Sequence, residues 1–256
     1  MIVIKNKIAL KKMETAGQLL ADIFEKITPF VVVGTSTFAL DELITRFLRD
    51  KQLKSCTVGY MGYKHASCIS VNEEVVHGVP DKNKILKKGD VVKIDISASW
   101  KGYCADMART FFVEDVSDVL KHLALVAQSA LDKGIEKAVE GNRVGDISYA
   151  IQQEVEKYGF GIVRDFAGHG IGKQLHEDPE ILNYGHPGQG PVLRAGMTLA
   201  IEPMITQGDY RVYIAEDGWT VKTEDKSCAV HVEDTIAITQ QGPKILTRRV
   251  AGGAAL

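Results

Sequence analysis

The order helix, helix, strands occurs twice along this chain, and that repetition limits its folding more than any other feature. Leu86-Lys87-Lys88-Gly89 leads through four residues to Ile94-Asp95, and Leu193-Arg194-Ala195-Gly196 leads through four to Ile201-Glu202, which places the two acids 107 positions apart. The same offset carries Gly34 onto Gly141, Leu40 onto Ile147 and Ile44 onto Ile151, more than a chance match of one hairpin would give. Two similar halves of roughly 110 residues can pack as one pseudo-symmetric domain with a cleft between them.

The elements follow from periodicity. Met13, Ala16, Leu20, Ile23 and Ile27 recur at three and four, the period of an amphipathic helix, and Thr28-Pro29 ends it. Ser36 or Thr37 can cap a second helix, whose buried stripe is Leu40, Leu43, Ile44, Phe47 and Leu48. Runs rich in β-formers at 68–71, 91–99 and 103–113 are expected as strands. The second half repeats the order, with helices expected at 116–140 and 146–158, the latter closed by Gly159, and strands thereafter.

Composition narrows the class of function. The 256 residues are 45% hydrophobic and 25% charged, as in ordinary soluble proteins, which sets aside disorder, collagen and a membrane bundle. Lys+Arg 31 against Asp+Glu 33 leaves a formal charge of -2, so no global attraction to nucleic acid or anionic lipid is available and specificity must come from a local site. Cys56, Cys68, Cys104 and Cys228 form no C-x-x-C pair, which favours a reducing compartment. The first residues lack the apolar core of a signal peptide, and the apolar run at 30–33 is too short to span a bilayer, so a cytoplasmic location is expected.

Chemistry gathers at four acids. Asp95 lies in a strand with apolar neighbours, and Asp106 follows the turn near Lys101-Gly102, so the two strands of a hairpin could bring them side by side. The second half offers Glu202 and Glu233 in the same arrangement. Any one of these could be a solvated strand-end residue. Four at duplicated positions are different: burying four ionised carboxylates together would cost many kcal/mol without compensation, whereas two divalent cations would offset them. His169 adds an imidazole in Gly168-His169-Gly170-Ile171-Gly172, where glycines permit close backbone approach and would leave the ring accessible at a strand end. That loop fits neither the P-loop nor the dinucleotide-binding template. Oxygen ligands with one imidazole suit Mn²⁺, Fe²⁺, Co²⁺ or Zn²⁺, and an ion pair of this kind serves metal-assisted hydrolysis, for which an amide is one natural substrate.

Asp95, Asp106, His169, Glu202 and Glu233, with their contexts, resemble the ligand set of the methionine aminopeptidase family. The stretch 72–80, the 168–172 loop with His176-Glu177-Asp178-Pro179 after it, Ile201-Glu202-Pro203 and 219–223 are similar to type I members, and the resemblance covers about 8–239. It implies an α+β "pita-bread" fold, in which two pseudo-symmetric αβ halves hold a curved antiparallel sheet covered by helices. Residues 1–256 would then form a single catalytic peptidase domain, with halves at about 5–112 and 113–240. It also implies that Asp106 and Glu233 bridge two ions, that Asp95 chelates one, and that His169 and Glu202 complete the other. Glu202 would be the general base, His77 and His176 would hold the substrate peptide and its developing oxyanion, and Tyr60, Tyr63, Cys68 and Trp219 would line a methionine pocket. His65, His122, His186 and His231 match no motif and are expected to be structural or solvated.

Two positions depart from many bacterial members. Thr57 stands where a cysteine is common and Leu175 where an aromatic is common, which bears on substrate and inhibitor preference. The activity implied is removal of the initiator methionine from nascent chains when the second residue is small, by a monomer of the minimal bacterial or organellar form. Lys82, Lys84, Lys87 and Lys88 form a basic run that could touch ribosomal RNA near the exit tunnel, or simply be a solvated turn. A proline-directed peptidase of the same fold and a non-catalytic binding relative are the alternatives. The second predicts eroded ligands, and all five are present.

Overall fold

A computed structural model describes residues 1–249. Helix α1 (Lys7–Ile27) starts where the Asn6 side chain accepts from the Ala9 N–H, and α2 (Thr37–Asp50) where Ser36 accepts from Ala39. Both are side-chain N-caps that satisfy helix donors otherwise left without partners. Strands β1 (Lys54–Ser55), β2 (Cys68–Val71), β3 (Val91–Trp100) and β4 (Tyr103–Phe112) complete the first half. In the second half, α3 (Asp118–Lys137) and α4 (Val144–Glu156) precede β5 (Gly161–Ile162), β6 (Gly168–Gly170), β7 (Glu177–Ile181) and β8 (Thr198–Ile201). There follow β9 (Met204–Thr206), β10 (Val212–Ile214), β11 (Val221–Thr223), β12 (Ala229–His231), β13 (Glu233–Thr239) and β14 (Gly242–Ile245). Helix α4 begins two residues earlier than periodicity suggests, because Asp146 is an interior first-turn residue whose carboxylate accepts the Arg143 N–H at 2.7 Å.

One sheet runs through both halves in the order β1-β3-β4-β13-β8-β6-β7, with β2 added to β3 and β14 to β13. The halves meet at the β4–β13 seam, where Ala108 pairs with Glu233 and Met107 with Asp234. Alternation along the strands separates the two faces. Ile94 and Ile96 of β3 pack with Leu20, Ile23, Leu40 and Ile44 of α1 and α2, and Leu199, Ile201, Ile236 and Ile238 pack with Leu123, Leu131, Ile147 and Ile151 of α3 and α4. The helices therefore lie on the face opposite Asp95, Glu202 and Glu233. Burying whole Leu and Ile side chains at about 1.5–3 kcal/mol each makes these clusters the main support of each half.

The halves are not exact copies. A tight turn joins β3 to β4, whereas β8 and β13 are joined by a long excursion that forms the β10–β11 hairpin and supplies β9 and β12, which build a small sheet with β5. That excursion explains why the 107-residue offset relates Asp95 to Glu202 but does not carry Asp106 onto Glu233.

Candidate metal centre

Strand register alone gathers the five predicted donors. Asp95 pairs with Ala108, and Ala108 pairs with Glu233 across the seam. Glu202 directly follows Ile201, the partner of Asp234, so it stands across from Glu233. Asp106 lies two residues from Ala108, and His169 pairs with Ala200, two residues from Glu202. With a side-chain period of two, all five point to one face around the small Ala108. Asp95 and Asp106 are thus diagonal neighbours, because the residue opposite Asp106 is Ser97, and the side-by-side placement expected from the hairpin is corrected.

His169 also differs from expectation. It is not an accessible strand-end residue but lies within β6, paired on both sides and 9% exposed. Its flanking glycines are required by packing: a Cβ on Gly168 would meet the Ala200 carbonyl oxygen at 2.4 Å, and one on Gly170 would meet that of Asp178 at 2.0 Å. His169 Nδ1 lies 2.9 Å from the Gly170 carbonyl, which suits a proton on Nδ1 and turns Nε2 toward the acids. Nε2 is 3.8 Å from both Asp106 Oδ2 and Glu202 Oε1. Donor atoms of Asp106, His169 and Glu233 all lie within 4.8 Å of one another.

These groups fit a cation. Asp95 Oδ1 and Glu233 Oε1 are buried without a hydrogen-bond partner among the described residues, an expensive condition for carboxylate oxygens unless they ligate something. Burial, reinforced by Asp106 and Glu202, pushes the Asp95 carboxyl well above the usual carboxylate range. Burial with Asp106, Glu202 and Asp95 does the same to Glu233. Glu202 is pushed to about 8 by burial, with His169 pulling it back and Asp106 adding to the rise. Such carboxyls hold protons until a cation displaces them. Asp106 is positioned from two sides: Ser97 Oγ donates to its Oδ1 at 2.7 Å, and its N–H donates to Thr235 Oγ1 at 2.9 Å.

The donors form the floor of a cavity of about 260 Å³. Tyr60, Tyr63, Cys68, His77, His176 and Trp219, all expected at the site, line it together with Thr57 and Leu175. Tyr63 is buried, with its ring edge-on to Trp219 at 4.9 Å and its hydroxyl donating to the Ser67 carbonyl at 3.0 Å. His176 packs against His169 at 4.4 Å and its Nδ1 lies 3.0 Å from the Tyr60 hydroxyl. His77 holds a left-handed backbone with φ 58°, uncommon for a bulky side chain and worth of order 1–3 kcal/mol of strain. The neighbouring Gly78 fixes it, accepting from Ile69 N at 2.8 Å and donating to Ser70 Oγ at 3.0 Å. Burial lowers the pKa of His77 and of His176 to about 4, so both are neutral near pH 7.

His231, expected to be structural or solvated, is buried, but beside the cluster in a way the sequence did not show. It is 1% exposed, and its Nε2 lies 3.2 Å from Glu202 Oε2, so it contacts a predicted ligand directly. Its position two residues before Glu233 was the available signal. The other three unassigned histidines behave as expected: His65 binds Asp41 at 3.0 Å, His122 packs edge-on to Tyr158, and His186 is exposed. Ser97 and Met61 also line the cavity and were missed. Ser97 was visible as the residue two positions after Asp95. The lysine run does not present four free cations, since Lys84 bonds Glu74 at 2.8 Å and Lys82 lies over the Phe38 ring.

Comparison with known proteins places the whole chain in a family. The sequence pattern of metallopeptidase family M24 matches residues 11–240. The methionine aminopeptidase of Clostridium acetobutylicum is 44% identical over 247 residues, 96% of this chain and 99% of its own. The crystal structure of methionine aminopeptidase from Thermotoga maritima is 45% identical with a TM-score of 0.96, covering 97% of this chain and 100% of its own. An Xaa-Pro dipeptidase from Bacillus anthracis shares the fold at TM-score 0.77 and 25% identity, and the match covers 96% of this chain but 62% of that one. The proline-directed alternative is therefore the less similar, and the expected pita-bread fold is the one found. The chain belongs to metallopeptidase family M24, on its methionine aminopeptidase branch.

Proposed function

We infer that this chain is a metal-dependent aminopeptidase that removes the N-terminal methionine from polypeptides whose second residue is small. One observation carries the reading: a cluster of four acids and a histidine forms the floor of an apolar-walled cavity of about 260 Å³. That volume is at the small end of ligand pockets, which suits one unbranched side chain and the peptide bond after it. Aromatic walls favour a thioether. With Leu175 in place of an aromatic, one wall is less aromatic than in many relatives, so inhibitors that stack there bind less well.

Asp95, Asp106, His169, Glu202 and Glu233 would hold two divalent ions, drawn from cobalt, manganese, iron or zinc. Ions so held supply Lewis acidity toward a carbonyl and make water a better nucleophile near neutral pH. Glu202 takes up the proton of the attacking water from its place in the cavity floor beside His169. His231 bonds its Oε2 and leaves Oε1 on the His169 side. His77 and His176, neutral at working pH, donate hydrogen bonds to the substrate backbone and the oxyanion. Tyr60 orients His176.

The two halves act as one catalytic domain, since each contributes donors to one cluster. No described helix is long and apolar enough to cross a membrane. The same reading makes nascent chains the substrates and the cytoplasm the place of action, with the protein a monomer. The basic run Lys82, Lys84, Lys87 and Lys88 would meet ribosomal RNA with fewer free charges than its sequence offers, because Lys84 is tied to Glu74 and Lys82 lies over Phe38. The test is release of free methionine from Met-Ala-Ser, Ala-Ala-Ser and Met-Pro-Ser across these metals. Cleavage of Met-Ala-Ser with little action on Ala-Ala-Ser is expected, and exhaustive chelation should abolish it. Unchanged turnover after chelation, or preference for a peptide with proline second, overturns the reading.

A further inference from the structure

Two thiols far apart in sequence meet in space. Cys56 directly follows β1, Cys104 lies in β4, and their sulfurs stand 3.4 Å apart. Register explains the approach. The Cys56 N–H donates to the Ser97 carbonyl at 2.9 Å, Cys104 pairs with Ser99, and alternation along β4 puts Cys104 on the same face as Asp106. Cys104 is buried beside Met13, Ile171 and Leu175, and its N–H donates to the Gly172 carbonyl at 2.7 Å. Cys56 is only half-buried and is therefore the sulfur that a small solute meets first. The pair thus sits between the 57–63 segment, which carries Thr57, Tyr60 and Tyr63 of the cavity wall, and the 168–176 segment, which carries His169 and His176.

We propose that Cys56 and Cys104 form an oxidisable dithiol behind the cavity wall, which hydrogen peroxide closes to a reversible disulfide. A bonded sulfur pair is about 2.05 Å apart, so the remaining closure is ~1.4 Å. Strand β4 is paired on both sides and cannot supply it. The 57–63 segment can: Val58 and Met61 are 55% and 82% exposed, and Gly59, Met61 and Gly62 hold left-handed turns there. In the first step the Cys56 sulfur attacks one peroxide oxygen and the O–O bond breaks. Cys56 becomes a sulfenic acid, oxidised by two electrons, and the other oxygen leaves as water with the thiol proton. In the second, the Cys104 sulfur attacks the Cys56 sulfur, the S–S bond forms, the S–O bond breaks, and a second water leaves with the Cys104 proton. A dithiol reductant reverses the product. Such transient disulfides occur in reducing compartments.

Drawing Cys56 toward β4 pulls on Thr57, whose hydroxyl donates to the His65 carbonyl at 2.8 Å, and on Tyr60, which holds His176. This kinetic consequence rests on the function proposed above, whereas the cross-link itself does not. The experiment treats the full chain with hydrogen peroxide, removes the oxidant, reloads metal and follows intact mass, free thiols and peptide cleavage. A loss of about 2 Da is expected. Free thiols should fall from four to two, with a peptide pair joined through Cys56 and Cys104. KM for Met-Ala-Ser should rise several-fold, and dithiothreitol should restore mass and KM. Cys56→Ser and Cys104→Ser should each lose the 2 Da change and the KM response. Addition of oxygen to Cys56 without a cross-link, or cross-linked protein with unaltered KM, overturns the proposal. If no methionine-releasing activity is found at all, the mass and thiol readouts still decide whether the cross-link forms.

Discussion

Replacing Glu202 with Gln should stabilise the metal-free protein while destroying its activity, and the gain should grow with pH. The Glu202 side chain is 14% exposed and shares its surroundings with Asp95, Asp106 and Glu233, so burial and like charge raise its pKa from 4.5 to about 8. The unfolded chain releases this proton near 4.5, whereas the folded metal-free chain keeps it until about 8. A folded pKa above the unfolded one gives stability that is complete at low pH and lost as pH rises through the folded value. At about 1.4 kcal/mol per pH unit of proton imbalance, Glu202 withdraws ~3 kcal/mol between pH 5.5 and 8. Gln has the same shape and no proton to lose. In urea unfolding of chelated protein at both pH values, the advantage of Glu202→Gln over wild type should therefore widen by ~3 kcal/mol, a midpoint shift of about 1 M or more for a slope of 1–3 kcal/mol/M. An advantage that stays constant from pH 5.5 to 8 would refute the reasoning, since it would mean that Glu202 ionises normally in the fold.

Three further outcomes follow from the same geometry. His231→Leu removes the partner of Glu202 Oε2, and loss of such an outer hydrogen bond should weaken metal affinity about 10–100-fold, with His231→Gln recovering most of it in a competitive chelator titration. Equal affinity in wild type and His231→Leu would show that the contact does not orient Glu202. Apparent metal affinity should increase as pH rises through about 8, where Glu202 gives up its proton, because binding must displace protons from the raised carboxyls; calorimetry in buffers of different ionisation enthalpy should register their release. Gly170→Ala should remove metal binding without touching a donor atom, since its Cβ would lie 2.0 Å from the Asp178 carbonyl oxygen and force His169 and β6 aside. Normal metal stoichiometry in that variant would show that β6 tolerates the shift.

The pH response of the metal-free fold also has a lower limb. Burial lowers His231 to about 4, as it does His77 and His176. Depressed histidines contribute stability that is present above their unfolded value of 6.5 and lost as pH falls toward 4, opposite to the carboxyls. Between 4.5 and 6.5 the two effects oppose each other, and from 6.5 the histidine effect is complete and the carboxyls set the direction until Lys93, lowered to about 8 by burial, begins to oppose them. The decline in stability measured above should therefore be steepest from pH 6.5 to 8, the range in which a bound cation matters most.

The sequence by itself determined the two-half order of elements and singled out five candidate donors. These depend on local or repeated patterns, the period of Met13 to Ile27, the cap at Ser36 and the duplicated approach to Asp95 and Glu202, whereas the expected cavity residues came from the family resemblance. It could not show that Asp95 and Asp106 are diagonal, because register depends on how ten residues of β3 pair with ten of β4, and a shift of one residue would turn every side chain to the other face. Nor could it separate His231 from His65, His122 and His186, since that difference arises only when β12 is brought beside the residue after β8. Cys56 and Cys104 show the same limit: 48 positions separate them, no motif connects them, and a strand lies between them in the sheet. The chain encodes which groups can bind a metal, and the tertiary pairing decides which oxygens remain without hydrogen bonds to do it. The reason is physical: burial and hydrogen-bond satisfaction belong to the assembled sheet and to no single segment of it.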